Sequence, residues 1–291
     1  MWIQVADVMK FTLTLVLIRM IVNLCEMFAN HREFQNNGTF GWTSRRIQYP
    51  WSARQGRVVW LLNQSCQYPT YLCLIALELA VALLQLTLLW WSGSVWLLWL
   101  ILPIELLSTI RNTAYGIDGS DRMHLIVLLA VTLYYAFPHR IAGVAVVWFI
   151  ALQSMLAYFT SGMVKLISPV WRKGRAIPSI LSTDAYGSTL FSRLFKRLPI
   201  APKILCWTTI IFECSFPFIV LTGPRAALVL LACALSFHLM IAATMGLNGF
   251  VWTFAATYPG IIYFSQEFYH IVHSHYESLL PLLTGGFCLV S

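Results

Sequence analysis

Long apolar runs separated by short polar segments dominate the chain. Eight runs are predicted to be membrane-spanning helices, because a helix needs about twenty apolar residues to cross the hydrocarbon core of a bilayer. The runs do not alternate polar and apolar residues as membrane β-barrel strands do. The predicted fold class is therefore all-α, a polytopic helical membrane bundle of about eight transmembrane helices. The predicted spans lie near residues 8–28, 70–91, 94–110, 123–137, 141–166, 203–222, 225–246 and 250–265.

Two tight turns are predicted from proline and glycine. FPHR at Phe137–Arg140 and TGPR at Thr222–Arg225 each separate two apolar runs, and such turns join consecutive helices into hairpins. No low-complexity linker divides the chain. We therefore expect residues 1–266 to form one transmembrane bundle and residues 267–291 to form an interfacial or extracytoplasmic tail.

The composition supports a membrane protein. The chain has 291 residues, of which 59% are hydrophobic and 10% are charged, whereas about a quarter are charged in a soluble domain. The net charge of +8 is interpreted as a topology signal near anionic lipid rather than as a nucleic-acid-binding surface. The prediction is an integral protein, of the bacterial plasma membrane type, with basic loops in the cytoplasm and both termini outside. The basic connections contain Arg32, Arg45, Arg46, Arg54 and Arg57; then Arg111 and Arg122; then Arg172, Lys173, Arg175, Arg193, Lys196, Arg197 and Lys203.

No metal site or disulfide framework is predicted from the cysteines. The seven cysteines form no CxxC pair and mostly lie in apolar runs, as small buried hydrophobic residues do; Cys66 alone lies in a polar setting. In the tail, His270 and His273 are three residues apart on a possible helix and could present two imidazoles to a metal. The favoured interpretation is an aromatic, histidine-rich helix that lies on the membrane surface.

Ionisable residues inside apolar runs are candidates for function, because an unpaired charge at membrane depth costs several kcal/mol. Arg19 lies in the middle of the first run, and Glu26 is about two helical turns further on. This arginine either ties the helix to the bundle or binds an anionic ligand. Three further carboxyl groups are expected to pair with Arg19 or Lys165, or to be kept neutral by burial. They are Glu78, Glu105 and Glu213.

Two polar interruptions are notable. The segment STIRNTAYGIDGSDRMH, at residues 108–124, is polar enough to bind a ligand headgroup, although an ordinary solvated loop is the favoured interpretation. His238 lies within an apolar helix, and Asn248 and Gly249 interrupt the run that follows. A lone buried histidine is usually structural, but the polar break beside it raises the case for a functional residue.

Lys165 lies where a membrane helix becomes a cationic loop, in AYFTSGMVKLISPVWRKG. Position alone favours a lysine that extends to the membrane surface. A lysine that acts as a chemical base is the alternative, because burial in an apolar pocket favours the neutral amine.

The blocks YFTSGMVKL, followed by Trp171, and FHLMIAATMGLNGFVWTFAATYP resemble the HTTM (horizontally transferred transmembrane) family, which includes vitamin K-dependent gamma-glutamyl carboxylase. The resemblance extends from about residue 8 to residue 265. In compactness the chain is similar to stand-alone bacterial members, such as the membrane protein that matures the sporulation-delaying peptide.

This resemblance implies specific chemistry. It places the family's catalytic-base lysine on Lys165 and the histidine of its Phe-His helix on His238. It also implies a reduced quinone of the vitamin K or menaquinone type, which becomes a strong base on reaction with oxygen and removes a proton from a peptide carbon. The predicted cofactor-binding residues are Asn112, Arg19 and Asn248. The implied partners are the lipid bilayer, an exported peptide or protein substrate and a separate partner subunit.

Two other functions remain open. A non-catalytic membrane factor would bind a secreted, toxin-like peptide and present it, with a partner subunit, to another enzyme. A small transporter ranks last, because no inverted repeat or pair of matched broken helices is evident. A helical bundle alone is compatible with each of these functions.

Overall fold

The structure is a computed structural model that describes residues 4–112, 118–183, 187 and 189–284. Every regular element in these residues is helical, which confirms the all-α prediction. The helices are α1 (Val5–Ala29), α2 (Trp42–Arg45), α3 (Arg57–Cys66), α4 (Thr70–Trp91), α5 (Leu98–Asn112), α6 (Gly119–Ala136), α7 (Arg140–Ile167), α8 (Pro169–Arg172), α9 (Ala176–Ile180), α10 (Thr189–Arg197), α11 (Ala201–Ser215), α12 (Gly223–Met245), α13 (Asn248–Ala255) and α14 (Tyr258–Thr284). Short 3₁₀ helices occupy His31–Phe34, Arg46–Gln48, Pro50–Ala53 and Phe216–Leu221.

Five helical segments of the described chain are long and apolar enough to cross a membrane, as in an integral membrane protein. They coincide with five of the eight predicted spans, and the count of eight is not confirmed. The five segments are Val5–Ala29, Thr70–Trp91, Arg140–Ile167, Ala201–Leu221 and Arg225–Met245.

The other three predicted spans do not correspond to single helices that are both long enough and apolar enough to be candidate spans. Helix α5 has 15 residues and is about 22 Å long, short of a hydrocarbon core of about 30 Å. Helix α6 has 18 residues, but Asp121, Arg122 and His124 lie in its first two turns. The run at 250–265 is not one helix, because α13 ends at Ala255 and α14 begins at Tyr258.

The predicted breaks are close to those observed. The chain changes helix at FPHR, between α6 and α7, and at TGPR, where α12 begins at Gly223. The interruption expected at Asn248 and Gly249 lies slightly earlier. Gly246 ends α12 with φ of 73°, a left-handed conformation that favours glycine, and Asn248 begins α13.

The helices form two compact units. The amino-terminal unit comprises Met9–Gly143 and Trp252–Ala256, and the carboxy-terminal unit comprises Met1–Val8, Val144–Val251 and Thr257–Ser291. Within the carboxy-terminal unit, α14 continues through residue 267, where the sequence pattern suggested the start of a tail.

Candidate functional site

Lys165 is held inside the carboxy-terminal unit. Its Nζ donates hydrogen bonds to the two carboxylate oxygens of Glu213, at 2.8 and 2.6 Å, and to Ser161 Oγ at 2.5 Å. The same nitrogen lies 5.2 Å from the centre of the Trp171 ring, within range of a cation–π contact. The Lys165 and Glu213 side chains are 17% and 6% exposed. The nitrogen of Lys165 therefore lies against a buried carboxylate, while the lysine side chain itself is only partly buried.

The sequence of α7 explains this placement. Ser161 is four residues before Lys165, so the two side chains lie on one face of the helix. Between them, Gly162 brings α7 against α11: a Cβ at this position would lie 2.7 Å from the backbone nitrogen of Cys214 and 2.9 Å from Glu213 Cβ. Small residues permit such close approach of membrane helices, and here the approach brings Glu213 within reach of Lys165.

His238 forms a second polar pair in the same unit. Its Nε2 lies 2.6 Å from Tyr158 Oη, and either group can be the donor, depending on the imidazole tautomer. The Tyr158 ring stacks on Phe216 at a centroid distance of 3.9 Å, and the His238 ring stacks on Phe250 at 5.9 Å. Phe212 meets Tyr158 edge-on at 6.1 Å. An apolar aromatic cluster thus encloses one hydrogen-bonded pair.

Helix α7 connects the two pairs. Tyr158 is seven residues before Lys165, which places them on one face about 10 Å apart along the axis. Lys165 and His238 therefore belong to one unit. Tyr158 relates them, because it is hydrogen-bonded to His238 and lies on the same face of α7 as Lys165. Asn248 begins α13 two residues before Phe250, and its backbone N–H donates to Gly246 O at 3.0 Å.

Arg19 belongs to a cluster in the amino-terminal unit. Its guanidinium donates to Asp121 and lies 3.6 Å from Glu105, and His124 Nε2 is 3.6 Å from the same Glu105 oxygen. The Arg19 side chain is 4% exposed, whereas Glu26 is exposed. The partners of Arg19 are thus carboxylates of α5 and α6 rather than Glu26. These carboxylates engage the guanidinium that was expected to hold an anionic ligand.

Asn112 lies in a separate buried network of the amino-terminal unit. Its Oδ1 accepts from Arg45 at 2.9 Å and from Arg111 at 3.4 Å, while its Nδ2 donates to Tyr71 Oη at 3.2 Å. Arg111 also donates to the backbone oxygens of Cys66 and Phe40, both at 3.0 Å. Both ends of the Asn112 amide are therefore engaged within the protein.

Two of the arginines assigned to topology are structural. Arg45 is 2% exposed and Arg111 is fully buried, with its guanidinium 3.8 Å from the centre of the Tyr71 ring. Asp118 likewise has a local role, because its side chain accepts the N–H groups of Ser120 and Asp121 and caps α6. Much of the polar segment at residues 108–124 therefore serves the packing of its own unit, while residues 113–117 lie outside the described chain.

Sequence reasoning missed Tyr158, Ser161 and the buried arginines. The spacing of Tyr158, Ser161 and Lys165 along α7 is a signal that could have found the first two, since residues three, four and seven apart share a helix face. The burial of Arg45 and Arg111 has no comparable signal, because their acceptors include the backbone oxygens of distant residues.

No metal centre is assigned. Among the residues that the structure describes, no group of three or more histidine, cysteine, aspartate or glutamate side chains is arranged to hold a metal ion. The side chain of His273 lies outside those residues. Cys66 is buried, and this burial raises the pKa of its thiol to about 11, so the cysteine in the polar setting is not an activated thiol.

No family model, curated protein or solved structure matches the chain. The resemblance to the HTTM family therefore rests on the blocks around Lys165 and His238, and the activity it implies is a proposal.

Proposed function

We propose that this protein is an integral membrane enzyme of the HTTM type that modifies or matures an exported peptide by quinone-linked, carboxylase-like chemistry, working with a separate partner subunit. The observation that carries the proposal is the Lys165–Glu213 pair. It lies among apolar helices, on the same face of α7 as the Tyr158–His238 pair. Five candidate membrane-spanning helices are consistent with such a protein.

Glu213 supplies a place for the lysine proton. A lysine that acts as a base must first be free of its proton. Transfer of one proton from Lys165 Nζ to a Glu213 oxygen breaks an N–H bond, forms an O–H bond and converts an ion pair into a neutral pair. In a region of low dielectric this transfer removes two costly charges at once. The neutral amine then accepts a proton from a substrate or cofactor group, and Ser161 holds it in place.

The residue types of the aromatic cluster support the proposal of a quinone. Flat apolar rings with polar groups at their edges bind best between aromatic side chains that enclose a few hydrogen-bonding groups. Phe212, Phe216 and Phe250 provide the rings, and Tyr158 and His238 provide the hydrogen bonds. A reduced quinone would supply a hydroxyl proton for the base to remove and the electrons for reaction with oxygen.

The remaining predicted cofactor-binding residues have unequal support. Asn248 belongs to the same unit and to the helix that carries Phe250, so it stays in the proposal. Arg19 and Asn112 are engaged with protein groups in the other unit, and we omit them from the proposed site.

Substitution of Lys165 tests the proposal. Lys165→Ala, Lys165→Met and Lys165→Arg would be expressed in a cell that makes the cognate secreted peptide, and the mass and yield of that peptide would be measured. Removal of the base is expected to lower product yield at least about 100-fold, since a positioned acid or base contributes about 10²–10⁴-fold. Lys10→Met is the matched control, because Lys10 also lies in a candidate span and contacts the Trp90 ring rather than a carboxylate. Unchanged product from all three folded Lys165 variants would exclude the base.

The engaged state of Lys165 also favours a second function. A lysine held by Glu213 and Ser161 can join α7 to α11 without exchanging a proton, as in a non-catalytic factor that presents a peptide to another enzyme. The double variant Lys165→Met with Glu213→Leu separates the two functions. It keeps the helices joined by apolar contact, so a presentation factor retains product and an enzyme loses it.

A further inference from the structure

A cationic cavity lies in the carboxy-terminal unit, apart from the Lys165 site. Its volume is about 470 Å³, and Lys173, Arg175 and Lys203 are among its lining residues. None of the nine described residues that line it is acidic. Three positive side chains therefore converge on one concave surface.

Local backbone geometry brings these cations together. Gly174 follows α8 with φ of 73°, and a Cβ at this position would lie 2.6 Å from Lys203 Cα. The loop thus packs directly on the first turn of α11, which only a glycine permits here. Trp207 strengthens the contact by donating from Nε1 to Arg172 O at 3.2 Å. The close approach places Lys203 of α11 beside the cations of the loop.

Acidic residues are scarce in the sequence around the cavity. Within the described part of the chain, Lys173, Arg175 and Lys203 form no ion pair. The sequence from 168 to 212 contains seven lysines and arginines and a single acidic residue, Asp184. Cations gathered without a partner repel one another, and a bound anion relieves that repulsion.

The cavity lies beside the ends of two candidate membrane spans. The candidate span Arg140–Ile167 ends six residues before Lys173, and the span Ala201–Leu221 begins two residues before Lys203. Tryptophan is enriched at the membrane–water boundary, and Trp171 and Trp207 lie at these two ends. The anion most abundant at this depth is the phosphate group of a phospholipid.

The sequence of helix α10 is further evidence that this part of the chain lies at a membrane surface. Its sequence TLFSRLFKR alternates apolar and basic residues with a helical period, as do helices that lie in the headgroup region. The helix ends two residues before Pro199, which lines the cavity. A basic helix with the pattern of an interfacial helix therefore ends beside the cavity.

We propose that the cavity formed by Lys173, Arg175 and Lys203 is a binding site for the phosphate of an anionic phospholipid headgroup. The guanidinium of Arg175 suits two phosphate oxygens, and the two ammonium groups act as flexible point charges. The proposal is independent of the Lys165 chemistry, because lipid binding is measured without any peptide product.

Native mass spectrometry of the full-length protein in detergent tests this site. The protein would be titrated with phosphatidylglycerol, with phosphatidylcholine and with inorganic phosphate. The triple variant Lys173→Gln, Arg175→Gln, Lys203→Gln is expected to bind phosphatidylglycerol on the order of 100-fold more weakly, given about a fivefold contribution from each cation near anionic lipid. The control variant Arg32→Gln, Arg54→Gln, Arg57→Gln removes the same charge from exposed positions elsewhere and is expected to bind within about threefold of the unchanged protein.

Each other outcome overturns the proposal. Equal binding of phosphatidylglycerol and phosphatidylcholine would exclude a site that prefers anionic lipid. Equal losses of affinity in both triple variants would show that binding depends on net charge and not on this cavity. Binding of inorganic phosphate without a preference for phosphatidylglycerol assigns the cavity to a soluble anion. If the triple variant does not fold, Lys203→Gln alone is expected to weaken lipid binding about fivefold, while Lys203→Arg retains it; identical affinities of these two variants contradict the site.

Discussion

Arg19 is a buried cation of one unit and Lys165 is a partly buried cation of the other, and their surroundings differ. Arg19 is 4% exposed and meets two carboxylates, Glu105 and Asp121. Lys165 is 17% exposed and meets one carboxylate, a hydroxyl group and the ring of Trp171. The first cation is enclosed by α1, α5 and α6, whereas the second lies near the end of its helix.

The difference separates a cation that can only form ion pairs from one that can also exchange a proton. Arginine does not lose its proton in proteins, so it stays a cation beside its carboxylates. Lysine is readily deprotonated in apolar surroundings, and a single carboxylate offers one acceptor for its proton. The cluster around Arg19 therefore joins helices, while the Lys165–Glu213 pair can both join helices and exchange a proton.

The largest effect is expected at Arg19. Arg19→Met leaves Glu105 and Asp121 without their cation and should lower the free energy of unfolding by about 3–5 kcal/mol, the usual cost of breaking a buried ion pair. Thermal unfolding in detergent measures it, with the exposed Arg32→Met as the control. An unchanged melting temperature for Arg19→Met would contradict a structural role for the Arg19 cluster.

At the Lys165–Glu213 pair, each single variant should lower the free energy of unfolding more than the double variant does. Lys165→Met or Glu213→Leu each leaves a charged partner behind, at about 2–3 kcal/mol. Replacing both removes the uncompensated charge and should recover most of that loss. Unfolding of the four proteins gives the coupling energy, and strictly additive losses would contradict a direct pair.

Gly162 should matter through its backbone contact. Gly162→Ala places a methyl group 2.7 Å from the backbone nitrogen of Cys214, which forces α7 from α11 and should cost about 1–2 kcal/mol. Gly119→Ala is the matched control, because nothing lies within 4 Å of a Cβ at that position. Equal stabilities of the two alanine variants would show that α7 and α11 do not approach closely at Gly162.

The smallest effect is expected at Cys66, next to the Arg111 network of the amino-terminal unit. The reactive form of a thiol is the thiolate, and a pKa of about 11 leaves Cys66 almost wholly protonated at pH 8. Maleimide labelling, followed by mass spectrometry, should be very slow at pH 8 and rise about tenfold for each pH unit up to pH 10. The same cysteine in protein unfolded by dodecyl sulfate is the control. Rapid labelling of the folded protein at pH 8 would show that this network is open to solvent.

The pattern of the sequence predicted the helical class and five candidate spans with bounds close to those observed. It also named the two residues, Lys165 and His238, that lie in one unit and connect through Tyr158. These features depend on the length of apolar runs and on glycine and proline, which act locally along the chain. The other three predicted spans are not confirmed, because an apolar run alone does not indicate whether a helix is long enough to cross a bilayer.

Only the tertiary structure decided which charges meet. Arg19 and Asp121 are 102 residues apart, and Lys165 and Glu213 are 48 apart. Helices in a membrane are apolar on nearly every side, since lipid tails and protein neighbours are equally apolar, so their sequences do not state which face meets which helix. Composition and spacing determined that this protein has helices long and apolar enough to cross a membrane, with a few charges among them. The close contact at Gly162 and the packing around Arg19 determined the partner of each charge, because pairing over such distances depends on the shape of the folded chain.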